Sequence, residues 1–225
     1  MLKFYRLYLL LEMNASKKTY FALIFALAVT AILLEIFELK IPYSFAKAAT
    51  TIAIIFFASS NRSMSRLSAQ MVTALIFCLL GDIALIWNQF FLVGVGLFLV
   101  AHLLFIRALK NRFGFKILPL AFLFSLVALV SIVYILWSGL AGILKVAVPT
   151  YAIVISIMVA QAISIALRKR SKMRSKLALG AILFMVSDTL LGINGFLHPF
   201  PFSGVFILST YWGALVFLAN AGREF

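Results

Sequence analysis

The chain contains only two aspartates, and both lie inside apolar stretches long enough to cross a membrane. Asp82 sits in ALIFCLLGDIALIW and Asp188 in AILFMVSDTLLGI. A carboxylate at the centre of a membrane helix costs roughly 2.5–3.5 kcal/mol on insertion scales, so such a group is usually retained for a function. Two carboxylates in a low-dielectric cleft do not ionise together readily, because they repel each other and lose hydration. The pair is therefore expected to supply one acid and one base to a shared pocket.

An acid and a base in one pocket suit cleavage of an acetal-like or vinyl ether bond, which needs proton donation and then water attack on an oxocarbenium-like centre. Glycosidases solve a related problem with two carboxylates. We predict that Asp82 is the acid, because its sequence neighbours offer it no hydrogen bond. We predict that Asp188 is the base, because Ser187 and Thr189 could stabilise its charge. The alternative is that each aspartate merely bonds to a neighbouring residue or helix.

Two further ionisable side chains fall within apolar segments. His102, in GLFLVAHLLF, could act as a proton shuttle or form an interhelical hydrogen bond. It is expected to lie deeper than Asp82, so direct contact between them would need helix tilt or a water. Lys47 begins an apolar segment, where it could extend to the interface, neutralise a carboxylate or hold a lipid phosphate.

Aromatic side chains mark the same side of the predicted membrane. An aromatic belt at the interface explains Tyr151, Tyr211 and Trp212 without any function. The same rings could bind a choline or ethanolamine head through cation–π contacts. Asn194 is expected near a helix C-terminus, since glycine follows it. The predicted substrate-binding residues are Lys47, His102, Tyr151, Asn194 and Tyr211.

Composition identifies the elements that must position these residues. Hydrophobic residues make up 65% of the chain and charged residues 12%, with a mean hydropathy of +1.15, whereas soluble proteins average about 25% charged residues. Runs of about 20 apolar residues are typical of transmembrane helices, and their length excludes a porin-type barrel. We predict an all-α polytopic membrane protein with eight transmembrane helices. Their approximate ranges are 20–38, 45–60, 67–87, 91–109, 116–138, 142–167, 176–196 and 203–221.

The basic residues predict the orientation of the chain. With eight spans, 17 of the 20 Lys and Arg fall on one side, which the positive-inside rule assigns to the cytoplasm together with both termini. These residues, including the basic run 168–176, are expected to contact anionic headgroups of the bilayer and not nucleic acid. Residues 1–18 are predicted to form an interfacial segment, and 19–225 a single eight-helix domain. The expected location is the inner or plasma membrane of a bacterium, or the endoplasmic reticulum of a eukaryote.

A weak internal repeat accompanies the two aspartates. The pattern D-x-x-L-x-x-N-x-F begins at Asp82 and again at Asp188, an offset of 106 residues. The offset predicts a possible 4+4 parallel repeat, with a pseudo-two-fold axis along the membrane normal. The two carboxylates would then meet across a central cleft, roughly 8–12 Å below the outer surface at 1.5 Å per residue.

Several other sites are missing from the sequence. It has no G-x-S-x-G elbow, no H-E-x-x-H, no Walker A and no metal-ligand cluster, so a serine lipase and a zinc protease fit poorly. No metal and no cofactor are expected. A small-molecule or lipid transporter is the main alternative, since internal repeats and intramembrane carboxylates also occur there. A structural scaffold would leave the buried aspartates unexplained.

Six segments carry a resemblance to a known family: K-A-A-T, L-L-G-D-I-A-L, G-x-x-x-F-L-x-A-H-x-x-F, T-Y-A-I-V-I-S, G-A-I-L-F-M-V-S-D-T-L-L and S-T-Y-W-G-A. Over about residues 40–222 the chain resembles the YhhN family of polytopic membrane proteins. That family includes lysoplasmalogenases, which hydrolyse the vinyl ether bond of lysoplasmalogens to a fatty aldehyde and a glycerophospho-alcohol. The resemblance implies that Asp82 and Asp188 are the paired aspartates and Lys47 the family lysine. The chain departs from the family at Ala48, usually proline, and at Ala214, often glutamine.

Overall fold

The computed structural model describes the backbone of residues 2–60 and 65–223, and the side chains of these residues except 2–16 and 88. Within this part of the chain the structure is all-helical, and eight helices are long and apolar enough to span a membrane. They are α1 (Leu2–Ile36), α2 (Lys40–Ser59), α3 (Arg66–Ala84), α4 (Phe91–Phe113), α5 (Pro119–Leu136), α6 (Leu144–Arg168), α7 (Lys172–Phe196) and α8 (Ser203–Arg223). Short 3₁₀ turns follow α3 and α5, at Asn88–Phe90 and Trp137–Gly139. The prediction of eight helical spans is confirmed.

Helix α1 is longer than its membrane-spanning part. It runs without a break from Leu2 into the apolar stretch Lys17–Ile36. The boundary predicted at residue 18 is therefore not a break in the helix, and the interfacial position of residues 1–18 stays a prediction.

The two helices that carry the aspartates begin in the same way. The side chain of Ser65 accepts a hydrogen bond from the backbone N–H of Ser68 at the start of α3, and that of Ser171 from the N–H of Arg174 at the start of α7. Such N-caps satisfy backbone donors that have no partner within the helix. The two capping serines are separated by the same 106 residues as the two aspartates. Each carboxylate therefore lies at the same height above the cap of its helix, while the duplication itself stays a prediction.

The central helices of the bundle surround the aspartates. Helix α3 packs most extensively on α4, and α7 on α8, while α6 contacts α4, α5 and α7, and α2 contacts α1, α3 and α8. Helices α1 and α5 lie at the periphery and expose large apolar side chains, including Phe25, Phe122 and Val130. An apolar outer surface fits a bilayer, whose acyl chains are as apolar as these side chains.

An aromatic cluster fills the interior between α4, α7 and α8. The ring of Phe184 lies 5.6 Å from Tyr211, 6.2 Å from Phe98 and 6.4 Å from Phe105, in edge-on arrangements that aromatic pairs prefer. All four rings are buried. The cluster fixes the positions of Phe98 and Tyr211, which both reach the site described below.

Polar contacts tie the helices together at the end of the bundle where most arginines lie, here called the basic end. The guanidinium of Arg223 donates to the carbonyl oxygen of Phe57 over 2.8 Å and lies 4.3 Å from the centre of its ring. The hydroxyl of Ser68 donates to the carbonyl oxygen of Gly222 over 2.8 Å. These contacts join α2, α3 and α8, the three helices whose opposite ends hold Asp82. We call that opposite end the site end.

Candidate active site

Asp82 is held by side chains from two other helices. Its Oδ2 accepts hydrogen bonds from the hydroxyl of Thr51 on α2, at 2.7 Å, and from that of Tyr211 on α8, at 2.8 Å. The Nζ atom of Lys47 lies 3.5 Å from its Oδ1, and only 2% of Asp82 is exposed. Trp212 adds an outer contact, donating from Nε1 to Thr51 over 3.4 Å. Two hydroxyl donors and an ammonium stabilise the ionised form of this carboxylate.

Asp188 has fewer partners. The hydroxyl of Tyr151 on α6 donates to its Oδ2 over 2.6 Å, and Nε2 of His102 on α4 lies 3.7 Å from the same oxygen. No lysine or arginine of the described residues forms an ion pair with it. The two aspartates therefore differ in their surroundings: Asp82 lies beside a fixed cation, and Asp188 beside a titratable imidazole.

The hydrogen bond of His102 on its other nitrogen determines what it can do. Nδ1 lies 2.6 Å from the carbonyl oxygen of Phe98, and a carbonyl can only accept, so Nδ1 carries a proton. In a neutral ring Nε2 then has only a lone pair. Nε2 is buried and has no hydrogen-bond partner. If the ring were neutral and Asp188 ionised, the lone pair of Nε2 would face a negatively charged oxygen, which is repulsive. One proton held by the pair, on the carboxyl or on the imidazole, removes this repulsion.

These contacts correct the basis on which acid and base were assigned. The sequence neighbours of Asp82 offer no hydrogen bond, but helices α2 and α8 supply two, so the assignment of Asp82 as the acid did not take its actual partners into account and stays a prediction. The hydroxyls of Ser187 and Thr189 donate to the carbonyl oxygens of Ile207 and Met185, not to Asp188. The predicted need for a water or tilt at His102 concerned Asp82, whereas the aspartate that His102 faces is Asp188.

The aromatic residues also differ from the belt interpretation. Tyr211 and Trp212 are 4% and 3% exposed, so they lie in the core and not at a lipid interface. Asn194 lies near the end of α7, lines the cavity at the site end, and accepts a hydrogen bond from the backbone N–H of Phe200 over 3.4 Å. The structure thus brings Lys47 and Tyr211 to Asp82, Tyr151 and His102 to Asp188, and Asn194 to the cavity wall.

Two cavities meet at Asp188. The first, of about 170 Å³, lies at the site end and is partly polar; Lys47, Asp82 and Tyr211 line it. The second, of about 70 Å³, is apolar and lies between α4, α5, α6 and α7, and Tyr151 lines it. Both cavities are lined by Leu85, Phe98, Asp188 and Leu191. An amphipathic molecule could therefore place a polar head in the first cavity and an apolar chain in the second, with its junction at Asp188.

A glycine brings two of these helices close together at the junction. A Cβ on Gly81 would lie 2.7 Å from Cε2 of Phe98, closer than real Cβ contacts allow. Only a glycine leaves room for the Phe98 ring against α3. Gly81 therefore determines where the Phe98 ring lies, and that ring lines both cavities.

Sequence reasoning missed Thr51 and most of the apolar residues that line the second cavity. Thr51 could have been found, because it follows Lys47 by four residues and so shares its face of α2. Tyr43, four residues before Lys47, lines the same polar cavity as Lys47. Among the described residues no group of three or more His, Cys, Asp or Glu side chains is placed to hold a metal ion.

Comparison with known proteins extends these observations to a family. Residues 43–221 match the family model described as the YhhN family, and this range includes every residue that bonds to either aspartate. The chain belongs to the YhhN family. It is an integral multi-pass membrane protein, since the family is a membrane-protein family and eight helices of the described chain can span a bilayer.

Within the YhhN family the chain is similar to several curated proteins. It is 31% identical to lysoplasmalogenase TMEM86B of Sus scrofa over 156 residues, which cover 68% of this chain and 62% of that protein. It is 31% identical to lysoplasmalogenase TMEM86A of Bos taurus over 163 residues, covering 70% of this chain and 66% of that protein. The chain therefore spans just under two thirds of the length of these relatives. No solved structure gives a significant match.

Proposed function

We propose that this YhhN family member is a membrane-embedded hydrolase that cleaves the vinyl ether bond of lysoplasmalogen-type lysophospholipids. The products are a fatty aldehyde and a glycerophospho-alcohol. The observation that carries the proposal is that Asp188 lines both a polar and an apolar cavity, and that Asp82 lines the polar one. Relatives named lysoplasmalogenase at 30–31% identity support the same reaction.

Asp188 is the better candidate for the acid and Asp82 for the ionised partner, the reverse of the assignment from sequence. Lys47, Thr51 and Tyr211 favour a charged Asp82. Asp188 faces the unpaired Nε2 of His102, an arrangement that favours a proton held on the pair. A positioned acid and base together match what protonation of an alkenyl carbon and attack by water require.

The proposed reaction begins with proton transfer from Asp188 to the alkenyl carbon distal to the ether oxygen. The oxocarbenium that forms is stabilised by the negative charge of Asp82. Water then adds to the oxygen-bearing carbon and gives one proton to Asp82, which yields a hemiacetal. In the collapse, Asp82 returns its proton to the leaving glycerol oxygen, and the hemiacetal hydroxyl gives its proton to Asp188. One water is consumed and both carboxyls regain their starting states.

Continuity of the spans supports a hydrolase over the transporter alternative. Transporter sites are typically formed by discontinuous helices whose ends point at the substrate. In the described chain α3 and α7, which carry the aspartates, are unbroken, and α6 continues through Pro149. The carboxylates project from regular helices into the cavities that they line.

The direct test is aldehyde release by purified protein in lipid vesicles. A lysoplasmalogen is compared with two matched lysophospholipids that carry a saturated ether or an ester at the same position. We expect aldehyde from the vinyl ether alone. Release of fatty acid from the ester would instead indicate a lysophospholipase, and no product from any lipid would contradict the proposed function.

A further inference from the structure

Glu35 is a charged residue in the polar cavity that the mechanism does not use. It lies in the last turn of α1 and lines the cavity together with Lys47 and Asp82. Lys47 is already paired with Asp82. The carboxylate of Glu35 has no hydrogen-bond or ion-pair partner among the described residues. Helix α1 also precedes residues 43–221, so this contact to the cavity is not part of the family match.

The position of Glu35 depends on a glycine at the start of α8. A Cβ built on Gly204 would overlap the carboxylate atoms of Glu35, so the carboxylate packs directly over the glycine. Gly204 lines the same cavity. Glu38, three residues after Glu35, is exposed and does not line the cavity. Of the two glutamates at the end of α1 and in the turn after it, Glu35 is therefore the one that the fold directs into the cavity.

The charges of the cavity are unbalanced as a result. With Lys47 and Asp82 compensating each other, the negative charge of Glu35 remains in a confined and half-buried position. An uncompensated charge in such a place is costly, and a ligand that brings a cation removes that cost. Tyr43 lines the same wall and offers a ring of the kind that binds ammonium groups.

We propose that Glu35 selects the headgroup by binding its cationic end, an ammonium of the ethanolamine or choline type. This inference rests on the proposed function, because it takes a lysophospholipid as the ligand of the cavity. The phosphate of such a headgroup lies beside Lys47, one short linker away from the ammonium, and the alkenyl bond lies at Asp188. Headgroups without a cation, such as phosphoglycerol, leave Glu35 uncompensated and bind less tightly.

Equilibrium binding of saturated ether lysolipids tests the inference without any turnover. Wild-type protein should bind the ethanolamine lipid about tenfold more tightly than the phosphoglycerol lipid, the scale of one charge-assisted contact. Glu35→Gln should remove this preference by weakening ethanolamine binding alone. Glu38→Gln, the matched exposed control, should keep it. Equal binding of the two lipids by wild type, or an unchanged preference in Glu35→Gln, would overturn the proposal.

A second variant keeps the test decisive if Glu35→Gln folds poorly. Gly204→Ala moves the Glu35 carboxylate without removing its charge. It should cause the same selective loss of ethanolamine binding. Equal loss for both lipids would mean that α1 only supports the fold, and would contradict headgroup selection. Failure of the two claims is distinguishable: wild type that binds ethanolamine lipid selectively but releases no aldehyde contradicts the hydrolase alone, whereas aldehyde release without headgroup preference contradicts Glu35 alone.

Discussion

The imidazole of His102 presents Nε2 to Oδ2 of Asp188 across 3.7 Å, while its Nδ1 is held 2.6 Å from the carbonyl oxygen of Phe98. The backbone contact fixes both the tautomer and the orientation of the ring. A histidine fixed in this way presents its Nε2 lone pair to the protonated carboxyl of Asp188, which makes it a positioning residue for the acid.

His102→Phe should therefore slow turnover without abolishing it. The phenyl ring retains the packing against Phe184, whose ring centre lies 4.5 Å from that of His102. We expect kcat to fall about tenfold with KM nearly unchanged, less than the roughly 10²–10⁴-fold effect of removing a direct acid. Steady-state aldehyde release measures both constants. His198→Phe, at an exposed histidine, is the control and should behave as wild type; an unchanged kcat in His102→Phe would exclude a role in proton transfer.

Lys47→Met should destabilise the protein because it leaves Asp82 buried without its cation. Breaking a buried ion pair by removing one partner costs about 3–5 kcal/mol in general. Thermal unfolding in detergent should show a lower midpoint for Lys47→Met, and a partial recovery in Lys47→Met/Asp82→Asn, where no charge remains. Neither variant should regain activity. A double variant no more stable than Lys47→Met would argue that the pair does not couple in the folded state.

Gly81→Ala should disturb the junction of the two cavities. The added Cβ meets Phe98 at 2.7 Å, and overpacking of this kind costs about 1–3 kcal/mol. Gly96→Ala is a matched control on the next helix, since a Cβ there meets no atom within 4 Å. We expect lower stability and slower aldehyde release only for Gly81→Ala, with recovery in Gly81→Ala/Phe98→Leu. Equal behaviour of the two alanine variants would contradict the close packing of α3 on α4.

The orientation of the bundle is testable with reporter fusions. Arg112, Arg168 and Arg174 lie together at the basic end of the described structure, which the positive-inside rule assigns to the cytoplasm. A reporter fused after Phe225, or inserted in the 168–176 loop, should report a cytoplasmic location. A periplasmic or luminal signal from either would reverse the predicted topology and move the site end to the other side of the membrane.

Much of the fold was predictable because the membrane imposes strong rules on sequence. Long apolar runs specify helices, and the cost of a charge in hydrocarbon singles out Asp82 and Asp188. The largest difference between predicted spans and observed helices is at α1, which begins at Leu2 and not near residue 20. The other helices differ from their predicted spans by a few residues at their ends, most at α2, which begins at Lys40 and not near residue 45. The shared height of the aspartates above their caps also follows from the sequence offset.

The roles of the two carboxylates were not predictable, because their partners are distant in sequence. Asp82 is bound by Thr51, 31 residues away, and by Tyr211, 129 residues away. Residues adjacent in sequence point in different directions from a helix, so Ser187 and Thr189 bond to backbone carbonyls and not to Asp188. Polarity of sequence neighbours therefore gave the wrong surroundings for both groups.

The paired-aspartate mechanism is tested most directly by the rate of aldehyde release from a lysoplasmalogen in Asp188→Asn and Asp82→Asn, measured beside wild type in the same vesicles. Thermal unfolding establishes that each variant is folded. The mechanism predicts that both variants lose at least about 10²-fold in rate, because each lacks a group that donates, accepts or stabilises charge at the reacting atoms. Near-wild-type release by either folded variant would contradict it.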